Sequence, residues 1–572
     1  MSRPGAWRAR ISPSRRRAFQ TAPRSNRLLR LGFWLQIGLI ALSPFLTAPS
    51  AKAAGDESLK FGIADPFPND PADKIERRLM LYKKAGIGIL RTDAGWPGGN
   101  DLPDGALPDL PLPPLYALGQ KYGFRFKSGI GIFYNPSRAF FSRHPDAQMT
   151  NQEGLKSGFV ISYWYPGLTR YLEDVDDRIF AYLAKRDFLA SLDYVVVPLG
   201  PAAEPLYPVP WTTTEPNKPM RFWFYDSNAQ ADFPRKMKAK YGTIDAANQA
   251  WGTHYADWNS VTIPSPGAQP GPMWRDVLTW YRDSKRDFIV WQVAHYRRLL
   301  EKYYPQGHAP RLVILLPGDH ITPYLWDQAI RAGDGDDRVK MMADSEFLID
   351  LAHKAGAYLQ YTGLPNTSEI QYAENYMREH GFEVPLWGEN AGDAGEPREL
   401  DEEVLSNGLY GQEYVGSNLF EADHVTPTAK FLSLEKAHGW LADARAARTP
   451  TNMVFDDLPI VQGACLYADA GKAIRLCMQR DANLVLSKNG QPLWSSGTSH
   501  LEREFCSSTQ DPASDCVATY QGDGNFVVYR GKEPLWDSKT AGRGKHLTIL
   551  DHPPYLEISG ADGEVVWAAA PK

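Results

Sequence analysis

Cysteine is scarce in this chain of 572 residues: there are four, at positions 465, 477, 506 and 516, and none between residues 54 and 464. No Cys/His spacing of the zinc-binding kind occurs, so neither a metal site nor a cofactor is expected. There is no long low-complexity tract, which sets aside a mainly disordered chain. A membrane-length apolar run is also lacking. The nearest, LGFWLQIGLIALSPFL (31–46), contains Gln36 and Pro44 and falls short of the roughly 20 residues a span requires. What is present is a globular composition, 43% hydrophobic and 23% charged, with 17 Trp. The length exceeds one core of usual size, so at least two domains are expected. Trp rings serve large cores and also stack on flat apolar faces, sugar rings included.

The first 53 residues hold nine Arg, one Lys and no acid, then the apolar run, then Ala51-Lys52-Ala53, a small-x-small cleavage pattern. That is the layout of an export signal, and it predicts a secreted or periplasmic protein, with an uncleaved anchor as the alternative. Without those ten cations, 52 basic residues face 67 acidic ones, a net charge of −15. Such an acidic protein is a poor ligand for nucleic acid or anionic lipid, so neither is expected as a partner, nor is a stable membrane span after signal cleavage. Clustered, even-numbered cysteines in an exported chain predict disulfides. Three pairings are open; the sequence-local Cys465–Cys477 and Cys506–Cys516 are favoured.

From residue 60 to about 448, short apolar strands alternate with helical or looped stretches. Eight strands are read, at 60–65, 88–95, 124–133, 193–200, 311–318, 356–363, 384–390 and 413–420. Amphipathic helices fall at 71–86 (Ile75, Leu79 and Tyr82 on one face) and 283–304, and a last one from Thr426–Pro427 to about 447. Eight such units predict a (β/α)8 TIM barrel. The rival is a doubly wound sheet, but it needs a Gly-rich turn after its first strand, where this chain reads DPFPNDPADK.

Catalytic groups in such barrels sit at the C-terminal strand ends. Reading those ends yields Asp65, Asp93, Glu204, Asp319, Glu389 and Glu421. A lone glutamate there is ordinarily a solvated loop residue or a cap. Two facing one opening can cleave a glycosidic bond, one donating a proton and the other attacking or activating water. Glu204 follows an apolar run between Ala203 and Pro205, a setting that raises a carboxyl's proton affinity. Glu389 lies between Gly388 and Asn390, a more polar setting that suits an ionised base or nucleophile. The segment 205–310 is expected to wall one side of the cleft. Trp96, Trp164, Trp211 and Trp387 are candidates for stacking on sugar.

LGPAAEPLYP (199–208) resembles the general-acid motif of the family 14 glycoside hydrolases, the β-amylases, and GENA (388–391) is similar to that family's general-base motif. RTDAGW (91–96) resembles a segment whose Asp contacts substrate there. FPRKMKAKYGTIDAANQAWGTHYADWNSVTIP (233–264) resembles the stretch after the acid/base of family 42 β-galactosidases. These resemblances imply Glu204 as general acid, Glu389 as base or nucleophile, and Asp93 as a substrate contact; Trp96, Trp211 and Asn390 are further candidate substrate-binding residues. Where the β-amylases carry a His and a Gly-rich lid this chain reads GIGIFYNPSRAF, and where family 42 has Asn before its acid/base it has Ala203. The implied substrate is therefore an oligo- or polysaccharide without a named sugar. Inversion is favoured over retention.

After residue 450 short β runs and turns take over, and a unit repeats at 478–496, 520–538 and 551–569 with Trp494, Trp536 and Trp567 in equivalent places. A threefold all-β module is predicted. QGDGNFVVY (521–529) resembles the Q-x-D-x-N-x-V-x-Y signature of the bulb-type mannose-binding lectins, which implies a β-prism lectin-like domain over 457–572 and a mannose-type glycan as partner. Alternate strand residues share a face, so Gln521, Asp523, Asn525 and Tyr529 would form a polar row with Val527 against the sugar. The first copy keeps Gln479, Asp481 and Asn483 but has Ser487 for Tyr; the third, aligned at His552, Pro554, Leu556 and Gly560, would not bind.

The reading is thus a leader (1–53), a barrel (54–450) with a two-glutamate glycoside hydrolase site, and a lectin tail (457–572). The alternative is a non-catalytic glycan-binding surface protein.

Overall fold

The computed structural model describes residues 60–94, 111–131, 138–209, 220–318, 320–364, 368–390, 409–415 and 419–435. In the C-terminal part it describes 452–453, 460–461, 465–467, 473–479, 482–499, 516–550 and 552–569. Trp96, Trp211, Asp319, Asp481 and Cys506 lie outside the described residues.

Ten strands occupy the first part: β1 (Lys60–Ala64), β2 (Ile89–Ala94), β3 (Arg125–Ile130), β4 (Gln148–Thr150), β5 (Lys156–Ile161), β6 (Leu192–Val196), β7 (Arg311–Leu316), β8 (Tyr358–Leu364), β9 (Leu386–Asn390) and β10 (Gly411–Val415). Eight close into an all-parallel barrel in the order β1-β2-β3-β6-β7-β8-β9-β10, back to β1. β4 and β5 form a separate antiparallel hairpin. All eight barrel strands fall where the apolar runs put them. A strand buried on both faces must be nearly continuous in apolar residues, so its run stands out.

The helix Ala72–Lys84 buries Ile75, Leu79 and Tyr82 as its period requires. The helix expected at 283–304 begins earlier, at Pro272, and runs to Tyr303. Proline at the first helical position is preorganised for helix, and a purely apolar-period reading misses it. The last helix starts at 429 rather than 426, because Pro427 is bridged to Phe420 first.

Asp65 is not a cleft residue. Its carboxylate pairs with buried Arg78 (Nε–Oδ2 2.9 Å) and accepts the Tyr82 hydroxyl (3.0 Å), tying the end of β1 to the first helix. Glu421 is exposed.

The C-terminal part forms three four-stranded sheets. Trp494, Trp536 and Trp567 meet with centroids 5.2, 5.5 and 5.7 Å apart, each pair edge-to-face. Cys465 and Cys477 are disulfide-bonded across an antiparallel pair, and Cys516 is also disulfide-bonded. The third copy shows a register correction. Gln479 N–H donates to Asn483 O and Gln521 N–H to Asn525 O, whereas the equivalent bond runs from Leu550 N–H to Tyr555 O. An extra residue in the Pro553-Pro554 turn puts Tyr555, not Leu556, at the Asn position. Among the described residues no helix is long and apolar enough to cross a membrane.

Candidate active site

The lumen is filled in tiers, as successive inward positions of the strands dictate. The lowest is apolar, with Tyr194, Val313, Tyr358 and Trp387. Trp387 is 1% exposed and lies 5.2 Å from Tyr194, so it is core and does not stack on sugar. Trp164 is likewise engaged in the wall: its ring stacks on Trp280 at 4.8 Å and its indole N–H donates to Ser284 Oγ at 3.0 Å.

Above the apolar tier comes a tier of charge. Lys127 of β3, its Nζ 4.3 Å over the Trp387 ring, forms an ion pair with Glu413 Oε2 at 2.5 Å and donates to Gln360 Oε1 at 2.6 Å. Arg91 Nη1 donates to Glu413 Oε1 at 2.7 Å and reaches Glu389 Oε2 at 3.4 Å. Gln360 Nε2 donates to Glu389 Oε2 as well. Lys127, Gln360 and Glu413 are all fully buried.

The two sequence-selected glutamates lie above. Glu204 follows β6 across a tight turn in which Ala202 and Ala203 take φ of 52° and 65°, a left-handed conformation that costs about 1 kcal/mol or more per non-glycine residue. A Cβ on Gly200 would lie 2.2 Å from Glu204 O, so only glycine lets the chain fold back there. Thr362 Oγ1 donates to Glu204 Oε1 at 2.6 Å. Glu389 Oε2 is held by Gln360, two residues earlier on β8. Gln360 and Thr362 are consecutive inward residues of one strand, about 7 Å apart by strand rise. Both carboxyls therefore open into one lumen, on either side of β8.

Their electrostatics depart in part from the sequence expectation. Burial raises Glu204 above the usual carboxylate range, with the Thr362 bond and Lys285 opposing. Glu389 is not left readily ionised: burial and the neighbouring Glu413 charge push it up to about 7, against Arg91, Lys127 and Gln360. The polar neighbours Gly388 and Asn390 in the sequence do not set its environment; the lumen does. Glu413 stays below the usual range, because Lys127 and Arg91 offset its burial. Burial drives Lys285, on the helix Pro272–Tyr303, down to about 7; its Nζ donates to Met342 O at 2.7 Å.

Asp93 stands at the rim, its side chain 55% exposed, with Oδ1 3.7 Å from Arg91 Nε. Gly129 beside it leaves the room: a Cβ there would lie 2.7 Å from Asp93 Oδ1. Asn390 ends β9. Sequence reading missed Arg91, Lys127, Thr362, Gln360 and Glu413. Their signal was a polar residue at an inward position of a barrel strand, short of the strand's end.

In the C-terminal module, Gln521 Nε2 donates to the Tyr529 hydroxyl at 2.8 Å, so the two ends of the polar row meet. Asn525 also serves the fold: its Oδ1 accepts from Ser538 Oγ (3.1 Å) and Thr540 N–H (3.1 Å), and its Nδ2 donates to Asp537 at 3.1 Å. Asn483 repeats the clamp with Ser496, Gly497 and Thr498. Val527 is 2% exposed and Gln479 and Asp523 are exposed.

The fold is a (β/α)8 barrel that holds two carboxyl groups in its lumen. Residues 210–314 match the family model described as Beta-galactosidase, glycoside hydrolase family 42. The thermophilic beta-amylase of Thermoanaerobacterium thermosulfurigenes is 29% identical over 142 residues, 24% of this chain and 26% of that protein. The beta-amylase of Cytobacillus firmus is 22% identical over 298 residues, 47% of this chain and 63% of that one. The chain thus spans less than two thirds of the length of these relatives. The crystal structure of the catalytic domain of beta-amylase from Paenibacillus polymyxa superposes with a TM-score of 0.54 at 17% identity, covering 66% of this chain and 97% of that domain, a likeness of fold.

Proposed function

We propose that this protein is an exported glycoside hydrolase that cleaves an oligo- or polysaccharide with Glu204 as general acid and Glu389 as base or nucleophile. The observation that carries it is the shared lumen, with the two carboxyls held by Thr362 and Gln360 of one strand. Burial keeps a proton on Glu204 for the leaving oxygen. Glu389, once ionised, acts from the far side of the bond, either on the anomeric carbon or on a water. The similarity to beta-amylases and to the family 42 beta-galactosidases supports the reaction class, and Asp93 at the rim is placed to meet a sugar hydroxyl. The leader supports export, and the row Gln521–Asp523–Asn525–Tyr529 supports capture of a mannose-type glycan that keeps the enzyme near its polymer. The test is a screen of α-1,4-glucans, β-galactosides and mannose-containing polymers with wild type, Glu204→Gln and Glu389→Gln. Hydrolysis by wild type and its loss in both variants is expected. A wild type inert on every glycan, or a variant as active as wild type, defeats the proposal.

A further inference from the structure

Glu413 has no place in a two-carboxyl reaction, yet it sits in strand register with Glu389 on the adjacent strand. Directly paired like charges repel, and nothing in barrel packing requires an acid at a fully buried position. The groups that act on Glu389 come from four strands: Arg91, with Asp93 beside it, from β2, Lys127 from β3, Gln360 from β8 and Glu413 from β10. Only one of these cations touches both carboxyls. Arg91 lies 2.7 Å from Glu413 and 3.4 Å from Glu389, so the nearer acid takes most of its charge. Lys127 sits on the far oxygen of Glu413 and adds a second cation to it.

We propose that Glu413 is a positioning residue: paired with Lys127 and Arg91, it draws Arg91 off Glu389 and so governs how readily Glu389 gives up its proton. The pair behaves as two carboxyls sharing one set of cations, in which one keeps the charge and the other keeps the proton. The direction of the Glu389 shift, with Glu413 among its causes, agrees. The inference rests on the proposed function only for the use to which Glu389 puts its proton.

The experiment reads that proton directly. The carboxyl-stretch titration of Glu389 is isolated as the infrared difference between the full chain and its Glu389→Gln variant. It is then repeated in the Glu413→Gln background. With Glu413 neutral, Arg91 is free for Glu389, and the Glu389 midpoint falls by about one pH unit or more. An unchanged or higher midpoint overturns the proposal, as would a purely structural Glu413. Should Glu413→Gln fail to fold, Lys127→Met/Glu413→Gln removes both charges and carries the same expectation, because Glu413 outweighs Lys127 at Glu389. A midpoint that falls in a protein inert on every glycan upholds this inference and defeats the hydrolase reading. A midpoint that stays put in an active enzyme does the reverse.

Discussion

The barrel and the C-terminal module are both built around a central axis, and they fill it in opposite ways. The module closes on three Trp rings in mutual edge-to-face contact, and its polar row runs from the turn at 521–525 onto the inner strand Phe526–Arg530. The barrel closes low down on Tyr194, Tyr358 and Trp387, and then, toward the catalytic end, sets Lys127, Glu413, Arg91 and Gln360 on the axis itself. A buried ion pair adds little net stability over well-packed apolar groups. The contrast therefore separates a core of packed rings from one that sets buried charge where apolar groups would pack at least as well.

The largest effect falls on the carboxyl pair. Glu204→Gln or Glu389→Gln lowers kcat/KM on any glycan that wild type hydrolyses by about 10²- to 10⁴-fold, read from initial rates, while mannose binding by the module stays at the wild-type level. Next comes the charged axis. Lys127→Met strands Glu413 without its nearest cation and destabilises the barrel by about 3–5 kcal/mol in denaturant unfolding; adding Glu413→Gln recovers much of that loss, since no unpaired charge then remains. The apolar axis gives a comparable or smaller figure. Trp536→Ala opens a hole among the three rings and lowers the stability of the module by about 3 kcal/mol, with activity on a short soluble substrate unchanged. Equal losses for Lys127→Met with and without Glu413→Gln would erase the proposed difference between the two axes.

Smaller effects sharpen the comparison. Glu389 is raised in the fold, so below about pH 7 it is protonated and cannot act as a base. Activity rises with pH through that region on the acid limb. As the proposed general acid, Glu204 sets the base limb. The Thr362 hydroxyl bond lowers the Glu204 proton affinity, so Thr362→Val moves the base limb upward, by up to about one pH unit for a bond worth about 1 kcal/mol; a downward shift counts against this assignment. The smallest effect lies in the tail. Tyr529→Phe removes one hydroxyl from the polar row and weakens the proposed binding of soluble mannan about 5- to 10-fold, by titration calorimetry, with no change on the barrel.

Much of this was legible in the chain. The eight apolar runs gave the barrel because parallel strands are buried on both faces, and the three equivalent Trp residues gave the module because a repeat must place equal residues alike. Glu204 and Glu389 were singled out because strand ends are where such barrels expose their chemistry. Arg91, Lys127, Gln360 and Glu413 were passed over because none stands at a strand end, and only ring closure sets four strands side by side. The same gap misjudged Glu389. Its sequence neighbours are polar, but its spatial neighbours are a buried acid and a shared arginine.

Local periodicity and backbone sterics, both written along the chain, set which segments become strands, where glycine and proline turn the backbone, and which acids end up at strand ends. Which group holds the charge is set by the closed barrel. Proton affinity in the lumen depends on burial and on groups brought from β2, β3, β8 and β10 within 4 Å of one another, distances that no reading along one dimension contains.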